Sequence, residues 1–202
     1  MKVLLRGGFV VMSLALLSGA DKKDDRFSPG TAASYSSHQT NDKVTVAAVP
    51  YDTDDLTRTA FGKTNPNQHG ILPVLVVIQN DTDQALKLDS IEVEYIGPDN
   101  RRVENTPASD VAYSAEGPRR PKMGSGAPTI PGLGKHKNPL SGWEIEGRAF
   151  APRMLPAHEA ANGFFYFQTR LLPGARFYLT GIRVASTGKD IFYFEIPIEP
   201  HH

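Results

Sequence analysis

From residue 43 onward the apolar side chains fall on alternate positions or in short runs closed by turn residues, and both spacings predict strands. Residues 44–49 are β-branched or small and stop at Pro50. Residues 71–78 form an apolar run that ends in the turn cluster 79–83. Leu86 and Leu88 lead into 91–96, where apolar and acidic residues alternate with the period of two expected of a strand buried on one face. The turn Gly97-Pro-Asp-Asn100 then sends the chain back at Val103. Residues 143–150 repeat the alternation, 163–169 are aromatic and strand-favouring, and 176–184 and 190–198 flank a hairpin loop at 186–189. Pro73 cannot donate to a ladder, so central pairing is expected from Val74 or Leu75. No sustained helical period appears, and only 54–61 reads as a short helical turn. About seven to nine strands separated by turns predict an all-β fold, an antiparallel immunoglobulin-like β-sandwich over 43–198.

One segment breaks this pattern. Residues 114–142 are rich in Gly and Pro and carry Arg119, Arg120, Lys122, Lys135 and Lys137 against Glu116 alone. A loop of that length inside a small domain is either functional or disordered, and its five basic side chains are candidate partner contacts. It lacks the aromatics on which single-stranded nucleic acid would stack. Trp143, the only tryptophan, follows the loop at the head of a predicted strand and reads as a core anchor.

The front of the chain is patterned differently. Lys2 and Arg6 precede an apolar run, 9–17, that is too short to span a bilayer, and Ser18 and Ala20 supply the small side chains of a cleavage site. Residues 1–20 therefore read as a secretory signal peptide cut after Ala20, with a periplasmic or secreted product. Leu17-Ser18-Gly19 also has the layout of a lipoprotein signal box, with Ala20 where the lipid-modified cysteine belongs. A membrane-anchored lipoprotein is thus the alternative. Residues 21–42 hold only Phe27 and Tyr35 as large apolar side chains and read as a flexible polar tether.

Composition narrows the function classes. Leader and tether removed, about 160 residues remain, enough for one packed domain. The 22 Lys and Arg balance 22 Asp and Glu, so no global field draws nucleic acid or an anionic membrane. The absence of cysteine excludes thiolate nucleophiles, thiolate zinc sites and iron–sulfur clusters, and leaves the fold to stand on its core.

Candidate chemistry is sparse. His158-Glu159-Ala-Ala-Asn162 has Asn where a zinc-protease helix needs its second His. His158 and Glu159, or other acidic residues, remain the groups on which a periplasmic hydrolase would depend. Asp52, Asp54 and Asp55 offer hard oxygens but lack the ligand repeat of a calcium loop, and read as a solvated loop. His38, His69, His136, His201 and His202 are scattered, and Met123 and Met154 have no second soft ligand nearby, so no metal site is predicted. Gly124-Ser125-Gly126, like Gly132 and Gly134, fits neither a nucleophile elbow nor a phosphate loop. Asn80-Asp-Thr82 matches the glycosylation triplet at a predicted exposed turn. No catalytic residue and no cofactor is predicted.

Taken together, Val44-Thr-Val-Ala-Ala-Val-Pro-Tyr-Asp52, Phe61-Gly62, Leu72-Pro-Val-Leu-Val-Val-Ile-Gln-Asn-Asp81 and Gly163-Phe-Phe-Tyr-Phe167 resemble uncharacterised bacterial exported proteins and lipoproteins with an immunoglobulin-like domain. The resemblance covers 43–198 and transfers no catalytic residue. The expected role is that of a non-enzymatic cell-envelope module that binds or scaffolds a protein or glycan partner. Exposed strand edges and the 114–142 loop are its expected contact surfaces.

Overall fold

The computed structural model describes residues 27–113, Leu140 and 143–201. Strands β1 (His38–Asn41), β2 (Val44–Pro50) and β3 (Leu72–Asn80) come first, followed by β4 (Leu86–Lys87), β5 (Glu92–Ile96) and β6 (Arg102–Thr106). Beyond residue 142 come β7 (Met154–Leu155), β8 (Ala160–Phe167), β9 (Ala175–Thr180), β10 (Arg183–Val184) and β11 (Phe194–Ile198). Among the described residues three short α-helices, α1 (Asp54–Phe61), α2 (Ala108–Val111) and α3 (Trp143–Gly147), and two 3-10 turns, Ala32–Ser34 and Pro66–His69, complete the set. The antiparallel all-β class expected from the alternation is what the chain adopts. Eight strands share one sheet in the order β1-β2-β3-β8-β6-β5-β9-β11, and β10-β4-β7 form a second, three-stranded one.

The large sheet rolls until its two ends meet. The Gln39 side chain of β1 accepts the Glu195 N–H of β11 at 2.9 Å, and Asn41 Nδ2 donates to the Tyr193 carbonyl at 2.9 Å. Side chains thus close the gap that ladder hydrogen bonds leave open, and the sheet becomes barrel-like. Its interior holds Val46, Val74, Val76, Phe167, Phe177, Leu179, Phe194 and Ile196, all buried. The small sheet packs onto one end of that core through Leu86, Leu155 and Ile182.

One half of the roll carries an outer layer. Val49, Leu75, Val77, Phe164 and Tyr166 point away from the barrel interior and pack against Ala60 and Phe61 of α1, Val111 of α2 and Ile145 of α3. Strands β2, β3 and β8 are therefore apolar on both faces, which is why their sequences read as continuous apolar runs. Helix α1 is started by Thr53, whose hydroxyl accepts the Leu56 N–H, and by Asp54 and Asp55 in its first turn. Gly62 ends it with a positive φ of 62°.

Two glycines set close approaches. At Gly163 of β8, an added Cβ would lie 2.4 Å from the Phe150 Cα, so only glycine lets 148–150 run against this strand. At Gly181, with φ +88°, it would lie 1.9 Å from the Ser90 carbonyl oxygen.

Most expected elements appear, among them the helical turn at α1 and the β2–β3 ladder that starts opposite Val74. Two differ. Residues 27–42, expected within the tether, fold onto the domain: the Phe27 ring packs 5.5 Å from Phe164, Ala32 is buried, and β1 pairs with β2. Two aromatic anchors and one edge pairing suffice to hold a polar segment. The strand predicted over 143–150 is instead helix α3 followed by a short extended stretch that bridges Ala149 to Phe164. Trp143 is 73% exposed and is not a core anchor; Ile145 is the residue of α3 that is buried. Residues 1–20, with the cleavage position Ala20, lie outside the described residues. Among those described, no helix is long and apolar enough to cross a membrane.

Candidate functional site

Opposite the helical layer, the outer face of β6-β5-β9-β11 has no described element packed over it. Alternation decides what it displays: Val93, Phe177, Leu179 and Ile196 turn inward, which leaves Glu92, Glu94, Arg102, Glu104, Arg176, Tyr178 and Glu195 outward. Register aligns four of these in one row across the sheet. Glu104 stands opposite Glu94, Glu94 opposite Tyr178, and Tyr178 opposite Glu195.

Two carboxylates directly opposite one another destabilise a bare sheet. Arg102 offsets this for Glu94 with an ion pair, and its guanidinium lies 5.3 Å from the Tyr178 ring centroid, within cation–π range. On the other flank Arg176 donates to Glu195 at 2.5 Å and to Asn100 Oδ1 at 2.6 Å. Tyr178 is further held by stacking on Tyr193, with centroids 5.5 Å apart. Next to that stack Phe192 is 71% exposed. The result is a rigid aromatic platform framed by four carboxylates and two guanidinium groups.

A shallow cavity of about 610 Å³ opens on this face, bounded by Glu92, Glu94, Arg102, Glu104, Phe165 and Tyr178. It falls in the size range of small-ligand clefts. Because its carboxylates outnumber its guanidinium groups, its net hydrogen-bonding capacity is that of an acceptor. Such a face suits a partner that donates: hydroxyls, amides or cationic groups.

The residues singled out in the sequence lie elsewhere. Arg119, Arg120, Lys122, Lys135 and Lys137 fall outside the described residues. His158, at φ 60°, shares a 3.2 Å contact with Asp83, and both side chains are largely exposed. Glu159 is exposed too, and its backbone carbonyl accepts the Asn80 N–H. Asp52, Asp54 and Asp55 do not converge. Asp52 binds the His201 N–H and ring, Asp54 accepts from Asn65, and Asp55 pairs with Arg58. No group of three or more potential metal ligands occurs among the described residues.

Asn80 corrects a further expectation. Its triplet was expected at an exposed turn, yet the residue is fully buried. Its amide donates to the Gln84 and Pro156 carbonyls at 2.8 Å, and its Oδ1 accepts from the Thr82 backbone and hydroxyl. This amide ties the end of β3 to the β7–β8 connection and is not open to modification.

Sequence reasoning missed the open face because outward-facing charged residues on strands look alike. The alternation at 92–94 and 176–180 carries the signal, but which outward faces stay uncovered depends on where distant helices pack. No protein-family model matches the chain, and no curated protein matches it.

Proposed function

We propose that the protein is a non-enzymatic, exported cell-envelope module that binds a partner, a glycan in the first instance, across the outer face of β6-β5-β9-β11. The observation that carries this reading is the row Glu104–Glu94–Tyr178–Glu195 on the one broad sheet face that no described element covers. The C–H face of a pyranose ring stacks on an aromatic platform, and its hydroxyls donate to fixed carboxylates. Arg102 lies over the Tyr178 ring and Tyr193 stacks on it, so the half-exposed Tyr193 ring is the platform, with the carboxylates of Glu94, Glu104 and Glu195 beside it. An acidic sugar would meet carboxylates in excess, so neutral or amino sugars are favoured.

Export, by a signal peptide cut after Ala20 or through a lipoprotein-type anchor, belongs to the same reading and rests on the leader's pattern. So does the immunoglobulin-like assignment, which the antiparallel all-β class supports at the level of class. Residues 114–142, apart from Leu140, lie outside the described residues.

Calorimetric titration with a chitin tetrasaccharide, and with its deacetylated, cationic counterpart, tests the reading. Saturable binding of either that falls about tenfold or more in Tyr193→Ala supports it, since the loss of one stacked platform is worth roughly 1.4 kcal/mol or more. No binding of either, or equal binding by the variant, overturns it.

A further inference from the structure

A second cavity, of about 640 Å³, lies on the helical side of the roll, between the entering chain and α1. Phe27, Tyr35 and Tyr51 supply aromatic walls, and Arg58, Thr59 and Arg148 complete the lining that matters here. No carboxylate among the described residues lines it.

Arg148 is the informative member. Its Nε is buried and has no hydrogen-bond partner, the one side-chain polar atom among the described residues in that condition. Arginine cannot shed its charge, so the orphaned donor carries its full desolvation cost. The guanidinium carbon sits 4.9 Å from the Phe27 ring centroid. A ring can satisfy the face of a guanidinium, but not the N–H groups in its plane. No ion pair between Arg148 and a described carboxylate offsets this charge. Nor can the group relax away easily. The Arg148 carbonyl accepts the Phe164 N–H at 2.8 Å, the Phe150 N–H donates to the Phe164 carbonyl at 3.0 Å, and Gly163 admits this segment against β8.

The surrounding groups complement a bound anion. The Tyr51 hydroxyl makes no hydrogen bond to a described residue, and burial, aided by Tyr35 and opposed by Arg148, pushes its pKa up to about 12. It therefore stays a neutral donor at any physiological pH. The Tyr35 hydroxyl accepts the Gly30 N–H at 2.8 Å and keeps its own proton to donate. Arg58 adds a second positive charge at the rim, since its ion pair with Asp55 is solvent-exposed and contributes little.

We infer that this cavity is a binding site for a small aromatic carboxylate, with the carboxylate on the Arg148 Nε–H edge and the ring among Phe27, Tyr35 and Tyr51. The site does not rest on the proposed role of the open face. A guanidinium edge and a carboxylate match as a two-point, charge-assisted pair. The ring requirement follows from the walls, which offer three aromatic faces to whatever part of the ligand lies behind the carboxylate.

The test uses the full chain, labelled with ¹⁵N, and follows the Arg148 Nε–H resonance on titration with benzoate, benzyl alcohol and inorganic phosphate. The expected result is a saturable downfield shift with benzoate, weaker by about tenfold or more with the alcohol, which lacks the charge, and with phosphate, which lacks the ring. Arg148→Met should abolish benzoate binding, and Tyr51→Phe should weaken it severalfold, each with thermal unfolding checked for an intact fold. The wild-type Nε–H shift needs no variant, so a misfolded substitution leaves the test standing. An unmoved Arg148 resonance at saturating benzoate overturns the proposal. Equal affinity for phosphate also overturns it, because the site would then be a plain anion site.

Discussion

Substituting Asp for Asn80 changes one atom of a buried side chain and inverts its chemistry. In the native protein the amide nitrogen donates to the carbonyls of Gln84 and Pro156, each at 2.8 Å, with the Leu155 carbonyl at 3.4 Å. A carboxylate oxygen in that place faces all three carbonyls with nothing to donate. Two hydrogen bonds of normal length disappear: the Pro156 carbonyl loses the amide donor, the Gln84 carbonyl keeps only the Thr82 hydroxyl at 3.0 Å, and the buried carboxylate itself is left facing acceptors. At about 1–3 kcal/mol for each group left unsatisfied, the expected loss at pH 7 is about 3–5 kcal/mol. For a domain of this size that corresponds to a fall of roughly 10 °C in Tm. The loss has a pH signature. The folded environment raises the carboxyl's pKa above its unfolded value of about 3.9, so the penalty grows as pH rises through and above that value. It shrinks as pH falls towards 4, where the protonated acid donates to one carbonyl again. Asn80→Ala, which has no titrating group, should lose a comparable amount at all pH values. Urea unfolding of the three proteins at pH 7 and near pH 4 measures this. An Asn80→Asp deficit under about 1 kcal/mol at pH 7, or one that does not change with pH, would refute the claim that this amide is a buried tie.

Two further outcomes follow from packing and burial. Gly181→Ala puts a methyl group 1.9 Å from the Ser90 carbonyl oxygen at a φ of +88°, so it should cost more than about 3 kcal/mol or prevent folding, and normal urea stability would contradict the backbone described there. Tyr51 keeps its proton to about pH 12 when folded, whereas the unfolded chain loses it near 10, so stability should fall as pH rises between those values. Tyr51→Phe should remove about one proton's worth of that slope, up to roughly 1.4 kcal/mol per pH unit, and identical alkaline slopes for the two proteins would contradict the assignment.

The strands were legible wherever burial was decided locally. Val44, Val46, Val74, Val76 and Ile78 are apolar because β2 and β3 are buried whichever way a side chain points, and a run of that kind bounded by turns reads as a strand at once. Closure of the sheet was not legible, because it depends on Gln39 and Asn41 reaching residues about 150 positions away. Trp143-Glu-Ile-Glu shows why alternation can mislead: a five-residue helix that buries only Ile145 leaves the same period-two trace as an edge strand. The docking of Phe27 hid behind its polar neighbours, since one ring among Tyr51, Phe164 and Arg148 is enough to anchor it. Both candidate sites escaped for a related reason. Outward carboxylates on β5 and β6 and a lone arginine at 148 are ordinary surface residues in sequence, and only the placement of distant elements leaves the first uncovered and buries the Nε of the second.

The central claim is that the open face of β6-β5-β9-β11 is where this protein meets its partner. Backbone chemical-shift mapping during a titration with the chitin tetrasaccharide and its deacetylated counterpart tests it most directly. Shifts that saturate and cluster at 92–94, 102–105, 176–180 and 192–195 are the predicted result. Shifts confined to the helical layer, or none at saturating sugar, would contradict it.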